Sequence, residues 1–321
     1  MILKVLTIAG NAFREVVRQP VFCVVLGVAA LAIALSPTYA MFTLMESVKL
    51  VQDMGLSTIL LAGLLLAVLS ASHVVTEEIR GRTALMVVAR PVSRGQFVVG
   101  KFVGIAAAEL VAAYVLTLVL VMTVRIGVPE AAYTKLDTAL IWGEVGAAAV
   151  TLLVAAGANY FFDKPFPSAV VWAALVVFSV VFLAFGVTDK ELKAVPYLSA
   201  YSGDTVRACI TMFPTVVVLT AAAVACATRL SLVLSVVGCS LFYLLGIASE
   251  FVFGRYAAKS LLAAVPYTVL PNFQVFWMGD ALSAEKAIPW SYVGAAVGYG
   301  VAYSASLVFL AMFLFESREI Q

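Results

Sequence analysis

Histidine and charge are the scarcest features of this sequence. One histidine, His73, stands in 321 residues, and 12% of residues are charged, about half the share found in soluble domains. With no second histidine or cysteine near it, His73 offers none of the usual zinc-ligand spacings and no imidazole relay. It reads as an interfacial or capping residue. The four cysteines, Cys23, Cys209, Cys226 and Cys239, fall in or beside apolar runs without the paired spacing of a zinc or redox site, and read as small core residues. The formal net charge is +2 with Lys and Arg spread along the chain, which leaves no basic face for nucleic acid. An uninterrupted apolar run is missing from the first twenty residues, because Lys4, Asn11, Arg14, Glu15 and Arg18 break it up. The sequence therefore predicts no cleaved signal and a mature chain that begins at or near Met1.

Apolar surface is abundant instead. Hydrophobic residues make up 64% of the chain and the mean hydropathy is +1.08, more than a water-soluble core can hide. A helix needs about 20 mostly apolar residues to cross about 30 Å of hydrocarbon. Eight stretches qualify: 21–45, 56–76, 102–124, 138–161, 167–187, 212–228, 231–253 and 290–315. The predicted fold is all-α, a polytopic membrane helical bundle of about eight transmembrane helices. A single membrane domain covers 21–321, with a separate N-terminal helix over 1–20. Only Arg229, Leu230 and Ser231 separate the sixth stretch from the seventh, so a tight hairpin and a broken pair both fit 212–253.

An even number of spans places both termini on one side. Eleven of the Lys and Arg residues fall on that side, five of them from Arg80 to Lys101, and the positive-inside rule makes it the cytoplasmic one. Three carboxylates remain within spans. Glu250 is close to a span end and reads as interfacial. Glu109 and Glu144 lie deeper, where an ionisable group costs about 2.5–3.5 kcal/mol or more. They are either satisfied between helices or part of a translocation path.

Ahead of the first span, Thr7, Asn11, Arg14 and Arg18 recur every three or four residues, while Leu3, Leu6, Ile8, Phe13 and Val17 fill other positions. That pattern predicts an amphipathic helix on the inner leaflet, ended by Pro20. The cytoplasmic loop over 77–101 carries more information. From Thr76 to Ala89 it predicts a short helix with Glu77 and Glu78 in its first turn and Pro91 just beyond its end. Ser93 and Gln96 then form a capping box that starts the next helix. A short helix held between two spans can transmit force to both.

The run Glu77-Glu78-Ile79-Arg80-Gly81-Arg82-Thr83, with Ala89-Arg90-Pro91-Val92-Ser93-Arg94 and Gly100-Lys101-Phe102 after it, resembles the cytoplasmic loop of type-2 ABC transporter permeases. These are the membrane subunits of ATP-driven exporters. Leu270-Pro271-Asn272-Phe273, Ile288-Pro289-Trp290 and the ending Leu314-Phe315-Glu316-Ser317-Arg318-Glu319 are similar to them as well. Eight spans depart from the six usual in that family, so a helical pair, the sixth and seventh, has been added.

The resemblance implies a bacterial-type inner membrane and a coupling helix that docks into a separate ATP-binding subunit. Glu77, Glu78, Arg80, Gly81, Arg82 and Thr83 would supply the charged turn of that contact, and Leu85 and Met86 its apolar part. It also implies a second permease copy or paralogue, with ATP and Mg bound in the partner and no cofactor on this chain. Gly95-Gln96-Phe97-Val98-Val99-Gly100-Lys101 imitates a Walker A loop, but Phe102 stands where Mg²⁺ needs a hydroxyl and no strand precedes it.

The outer loop over 254–289 mixes turn formers with Phe273, Phe276 and Trp277 and fits equally a re-entrant or interfacial helix over the outer gate and a simple anchor at the headgroup level. Gly294 and Gly298 form a step that admits close helix approach. Two other classes stay open: a proton- or ion-coupled secondary transporter using Glu109 and Glu144, and a polytopic membrane enzyme. The cargo is not legible.

Overall fold

The computed structural model of the chain describes residues 2–40, 47–76, 93–128, 136–257 and 260–316. Among these, eight helices are long and apolar enough to cross a bilayer. They are α2 (Pro20–Ala40), α3 (Ser47–Ala71), α4 (Arg94–Ile126), α5 (Thr138–Phe162), α6 (Phe166–Phe185), α7 (Gly203–Ala227), α8 (Leu232–Ser249) and, after two short helices, α11 (Trp290–Glu316). A further helix, α1 (Ile2–Val17), precedes them. The described residues hold no strand beyond one isolated bridge between Thr188 and Ala194. The chain is thus an all-helical, multi-pass membrane bundle, as its apolar runs predict.

Helices α3, α4 and α7 are mostly buried and form the centre, and the other spanning helices surround them. The outer helices turn residues such as Val24, Leu153, Phe161, Val233 and Phe313 outward, toward lipid. Lipid tails are as apolar as leucine, so burial alone does not hold such helices together and close packing must. On α11, a Cβ at Gly300 would sit 2.5 Å from the Pro214 ring of α7. At Gly294 and Gly298 it would meet nothing within 4 Å. The close approach on the last helix is therefore at Gly300, and the expected glycine step faces no other described helix of this chain.

Helix ends follow local chemistry. Ser93 Oγ accepts the Gln96 N–H and Gln96 Oε1 accepts the Ser93 N–H, both at 3.3 Å, the predicted capping box. α1 ends at Val17, just ahead of Pro20. The sixth and seventh spans are two helices joined by a tight turn, closed by the Arg229 and Leu230 N–H groups on the Cys226 carbonyl. α3 and α7 begin about two turns earlier than their apolar runs, because their polar first turns have partners. Gln52 Nε2 donates to Thr205 Oγ1 at 2.9 Å, and Asp204 Oδ1 accepts the Ile288 N–H at 2.9 Å. At the opposite end, Arg94 Nη1 donates to the Glu316 carbonyl and Arg229 Nε to the Leu314 carbonyl, two guanidinium groups on the negative end of α11.

The segment after α8 passes through a π-helical turn (Glu250–Gly254), a single helical turn (Arg255–Ala257), helix α9 (Leu261–Val269), a 3₁₀ turn (Phe273–Phe276) and helix α10 (Gly279–Ser283). Phe273 and Phe276 are buried among Phe242, Tyr243 and Tyr299. Tyr299 Oη accepts the Asn272 N–H, while Tyr303 and Tyr292 donate to the Val269 and Val275 carbonyls. Gln274 Nε2 donates to the Ile247 carbonyl beside the π turn. α10 lies against α3 and α7. The aromatics of this segment thus pack it onto the ends of the neighbouring helices.

Candidate functional site

Glu77, Glu78, Arg80, Gly81, Arg82, Thr83, Leu85 and Met86, and the helix expected over 76–89, lie outside the described residues. The frame on either side of them is described. α1 rests on the first turns of α4, and two glycines bring the helices together. A Cβ on Gly100 would be 2.7 Å from Ile8 Cβ, and one on Gly104 would be 2.3 Å from the Ala9 carbonyl oxygen. Between those glycines, Lys101 is buried and its Nζ lies 3.2 Å from Glu15 Oε2 on α1. His73, in the π-helical turn that ends α3, places Nδ1 3.7 Å from the other oxygen of Glu15. One carboxylate on α1 thus faces basic groups at both ends of the 77–92 segment. The Walker-like residues Gly95 to Lys101 are helical here, with Lys101 engaged by Glu15.

Glu109 and Glu144 are both buried, but the structure does not bring them together. Glu144 Oε1 is 3.4 Å from Thr123 Oγ1, and Thr123 is fourteen positions beyond Glu109 on α4, about 21 Å along the axis. Glu109 Oε1 is 3.4 Å from Ser70 Oγ, and its Oε2 has no hydrogen-bond partner among the described residues. An orphaned buried acceptor costs about 1–3 kcal/mol. Glu109→Met, close in shape and without oxygens, should therefore leave thermal unfolding unchanged or raise the stability by about that amount. A clear loss of stability would show that the carboxyl is structurally needed.

The C-terminal end of α4 carries a cluster that sequence reading missed. Arg125 Nε donates to Asp137 Oδ2 at 3.0 Å, while Nη2 lies 2.9 Å from the same oxygen but is poorly aligned for a hydrogen bond. Both side chains are almost wholly buried. Arg125 Nη1 donates to the Phe185 carbonyl, and the guanidinium lies 5.0 Å over the Tyr201 ring. Asp137 Oδ1 caps α5 by accepting the Leu140 N–H at 3.0 Å. Burial pushes the Tyr201 phenol up to about 12, so it remains a donor to the Phe182 carbonyl at 2.9 Å. Between Ile126 and Asp137 the chain turns through Gly127, at φ 86° and ψ −178°, a conformation open in practice only to glycine.

Two further pairings had no counterpart in spacing. Cys226 and Cys239, thirteen positions apart in sequence, meet side chain to side chain across the α7–α8 hairpin as free thiols. Glu250 Oε2 accepts a hydrogen bond from Tyr267 Oη at 2.9 Å. No group of three metal-ligating side chains occurs among the described residues. No family model matches the chain, and no curated protein matches it either.

Proposed function

We propose that this chain is the membrane subunit of an ATP-driven exporter of the type-2 ABC permease kind, working with a separate ATP-binding subunit. The observation that carries the reading is the joint at the inner end of the bundle. The segment whose sequence resembles a coupling loop, 77–92, leaves one span directly after His73 and returns to another just before Lys101, and both residues face Glu15 of α1. A push on that segment reaches α3, α4 and α1 together. In this reading Glu77, Glu78, Arg80, Gly81, Arg82 and Thr83 set partner choice by charge, and Leu85 and Met86 add an apolar anchor.

α1 serves as an amphipathic interfacial helix, its exposed Leu3 and Leu6 dipping into the inner leaflet while Ala9, Ala12 and Val16 hold it on α4. Both termini are cytoplasmic, in a bacterial-type inner membrane. A second permease copy or paralogue completes the transporter, and nucleotide and Mg²⁺ belong to the partner. ATP binding closes the ATPase pair and shifts the bundle between inward- and outward-facing populations.

The test is affinity purification from native membranes in mild detergent, with co-purifying chains identified by mass spectrometry. A soluble chain bearing a complete Walker A motif should be recovered with the wild type and lost with Glu78→Lys combined with Arg82→Glu. Recovery of no ATP-binding chain, while other membrane complexes survive, would overturn the proposal. A second reading, a proton- or ion-coupled carrier, draws its support from the unpartnered oxygen of Glu109. It predicts that Glu109→Gln and Glu144→Gln abolish coupled uptake in vesicles free of nucleotide.

A further inference from the structure

Between α2 and α5, floored by α4 and α6, runs a cavity of about 620 Å³, within the range of small-molecule sites. It extends along α2 from Cys23 to Thr38, fifteen positions or about 22 Å, so it is long rather than round. Leu31, Val145 and Leu152 line it and are also exposed on the lipid-facing surface, so it opens sideways into the bilayer. Its lining is almost entirely hydrocarbon.

Cys23 and Thr38 on α2 and Glu144 and Thr151 on one face of α5 interrupt that lining, and the Thr38 hydroxyl donates to the Leu35 carbonyl. Glu144 and Thr151 are seven positions apart, two helical turns, which stacks them about 10 Å from each other. Glu144 is 8% exposed and holds one long contact, to Thr123. Thr151 is 4% exposed and its hydroxyl has no hydrogen-bond partner among the described residues. Thr117, Thr215 and Ser235 share that state among the described residues, although a hydroxyl in a span can turn back onto its own helix. Thr123, Thr220 and Ser304 do so, each donating to the carbonyl four residues earlier. Glu144 is the one carboxyl in the lining among the described residues, and a single contact at 3.4 Å leaves its oxygens short of donors.

We infer that the cavity is a binding site for a long-chain amphiphile that arrives from the lipid phase. Its amine or hydroxyl headgroup donates to Glu144. The acceptor-rich carboxyl selects a donor headgroup over an acidic one, and the hydrocarbon walls select a chain over a compact polar solute. Glu144 lies six positions into α5, about 9 Å from its outer end, which suits a headgroup just below the outer interface. This inference does not rest on the exporter reading, because binding is read without nucleotide or partner subunit.

The test uses the purified full-length chain in phosphatidylcholine nanodiscs and the quenching of its tryptophan fluorescence by 12-bromododecylamine, with 12-bromododecanoic acid as the acidic counterpart. Trp142 lies two positions from Glu144. Quenching by the amine should saturate at an apparent affinity about tenfold or more above that of the acid. Gly27→Leu should weaken amine binding about tenfold by filling the slot, since a Cβ there meets nothing within 4 Å. Gly146→Leu, equally unobstructed but off the cavity, should leave it unchanged. Glu144→Ala should match Gly27→Leu.

Quenching that never saturates, or that Gly27→Leu leaves intact, would mean that bulk lipid fills the cavity and would overturn the inference. So would equal affinity for amine and acid. Dimer formation that closes the cavity to the probe would overturn it in favour of a second copy. If Glu144→Ala does not fold, Gly27→Leu and the amine-to-acid ratio decide.

Discussion

Arg125→Met should destabilise the bundle by about 3–5 kcal/mol, the loss expected when one member of a buried ion pair is removed and the other keeps its charge. The size follows from what Asp137 would face. Its side chain is wholly buried, and its Oδ2 would exchange a guanidinium at 3.0 Å for a thioether. Thermal unfolding in detergent, or steric trapping in bicelles, reads the effect directly. Asp137 carries a second duty, the cap of α5, so its substitutions should separate the two. Asp137→Asn keeps a good capping side chain and loses the ion pair. Asp137→Ala loses both and should cost about 1 kcal/mol more. The double variant Arg125→Met with Asp137→Asn should cost less than the sum of the singles, because no lone charge remains inside. Additive losses would show that the two residues act separately.

This fastener bears on function through its position. Arg125 ties the end of α4 to the carbonyl that ends α6, Asp137 starts α5, and Gly127 and Leu136 between them line the outer end of the lipid-facing cavity. Releasing the pair should therefore loosen the two helices that carry the cavity's polar contacts before it affects the distant inner joint.

The spans were legible because each is a run of hydrocarbon side chains long enough to cross lipid, and runs of that kind need no partner to be recognised. Their ends were legible only where the signal is local. The capping box of Ser93 and Gln96 could be read from four consecutive residues, and Pro20 from one. The starts of α3 and α7 could not, because Gln52 and Asp204 look like loop residues until Thr205 and Ile288 are seen to receive them. Long-range pairs were hidden for the same reason. Arg125 stands at the end of one apolar run and Asp137 just before the next, and nothing in their spacing tells that the two side chains meet. Glu109 and Glu144 were found as carboxyls in spans, since charge against hydrocarbon is a strong contrast. That each sits at its own depth follows only from the packing.

Gly104→Val should detach α1 from α4, and this is the second large effect. Small residues at spacing four invite close approach, but the spacing names neither the partner nor whether there is one. Gly294 and Gly298 have that spacing and open space around them. Gly100 and Gly104 have it too and hold α1. At Gly104 the obstacle to a side chain is the Ala9 carbonyl oxygen at 2.3 Å, with Ala12 Cβ at 2.7 Å, so no rotamer change relieves the clash and the helix itself must move. Overpacking of this kind costs about 1–3 kcal/mol. Movement of α1 also carries Glu15 away from the buried Lys101. Trypsin should then cut at Arg14 and Arg18 much faster than in the wild type, while Gly298→Val, with nothing to collide with, should leave both the cleavage rate and the unfolding temperature unchanged. Should the exporter reading hold, Gly104→Val would still co-purify with the ATP-binding subunit through the 77–92 segment, yet fail to transport, because the push would no longer reach α1. A Gly104→Val protein as stable and as protease-resistant as the wild type would sink the joint on which that reading stands.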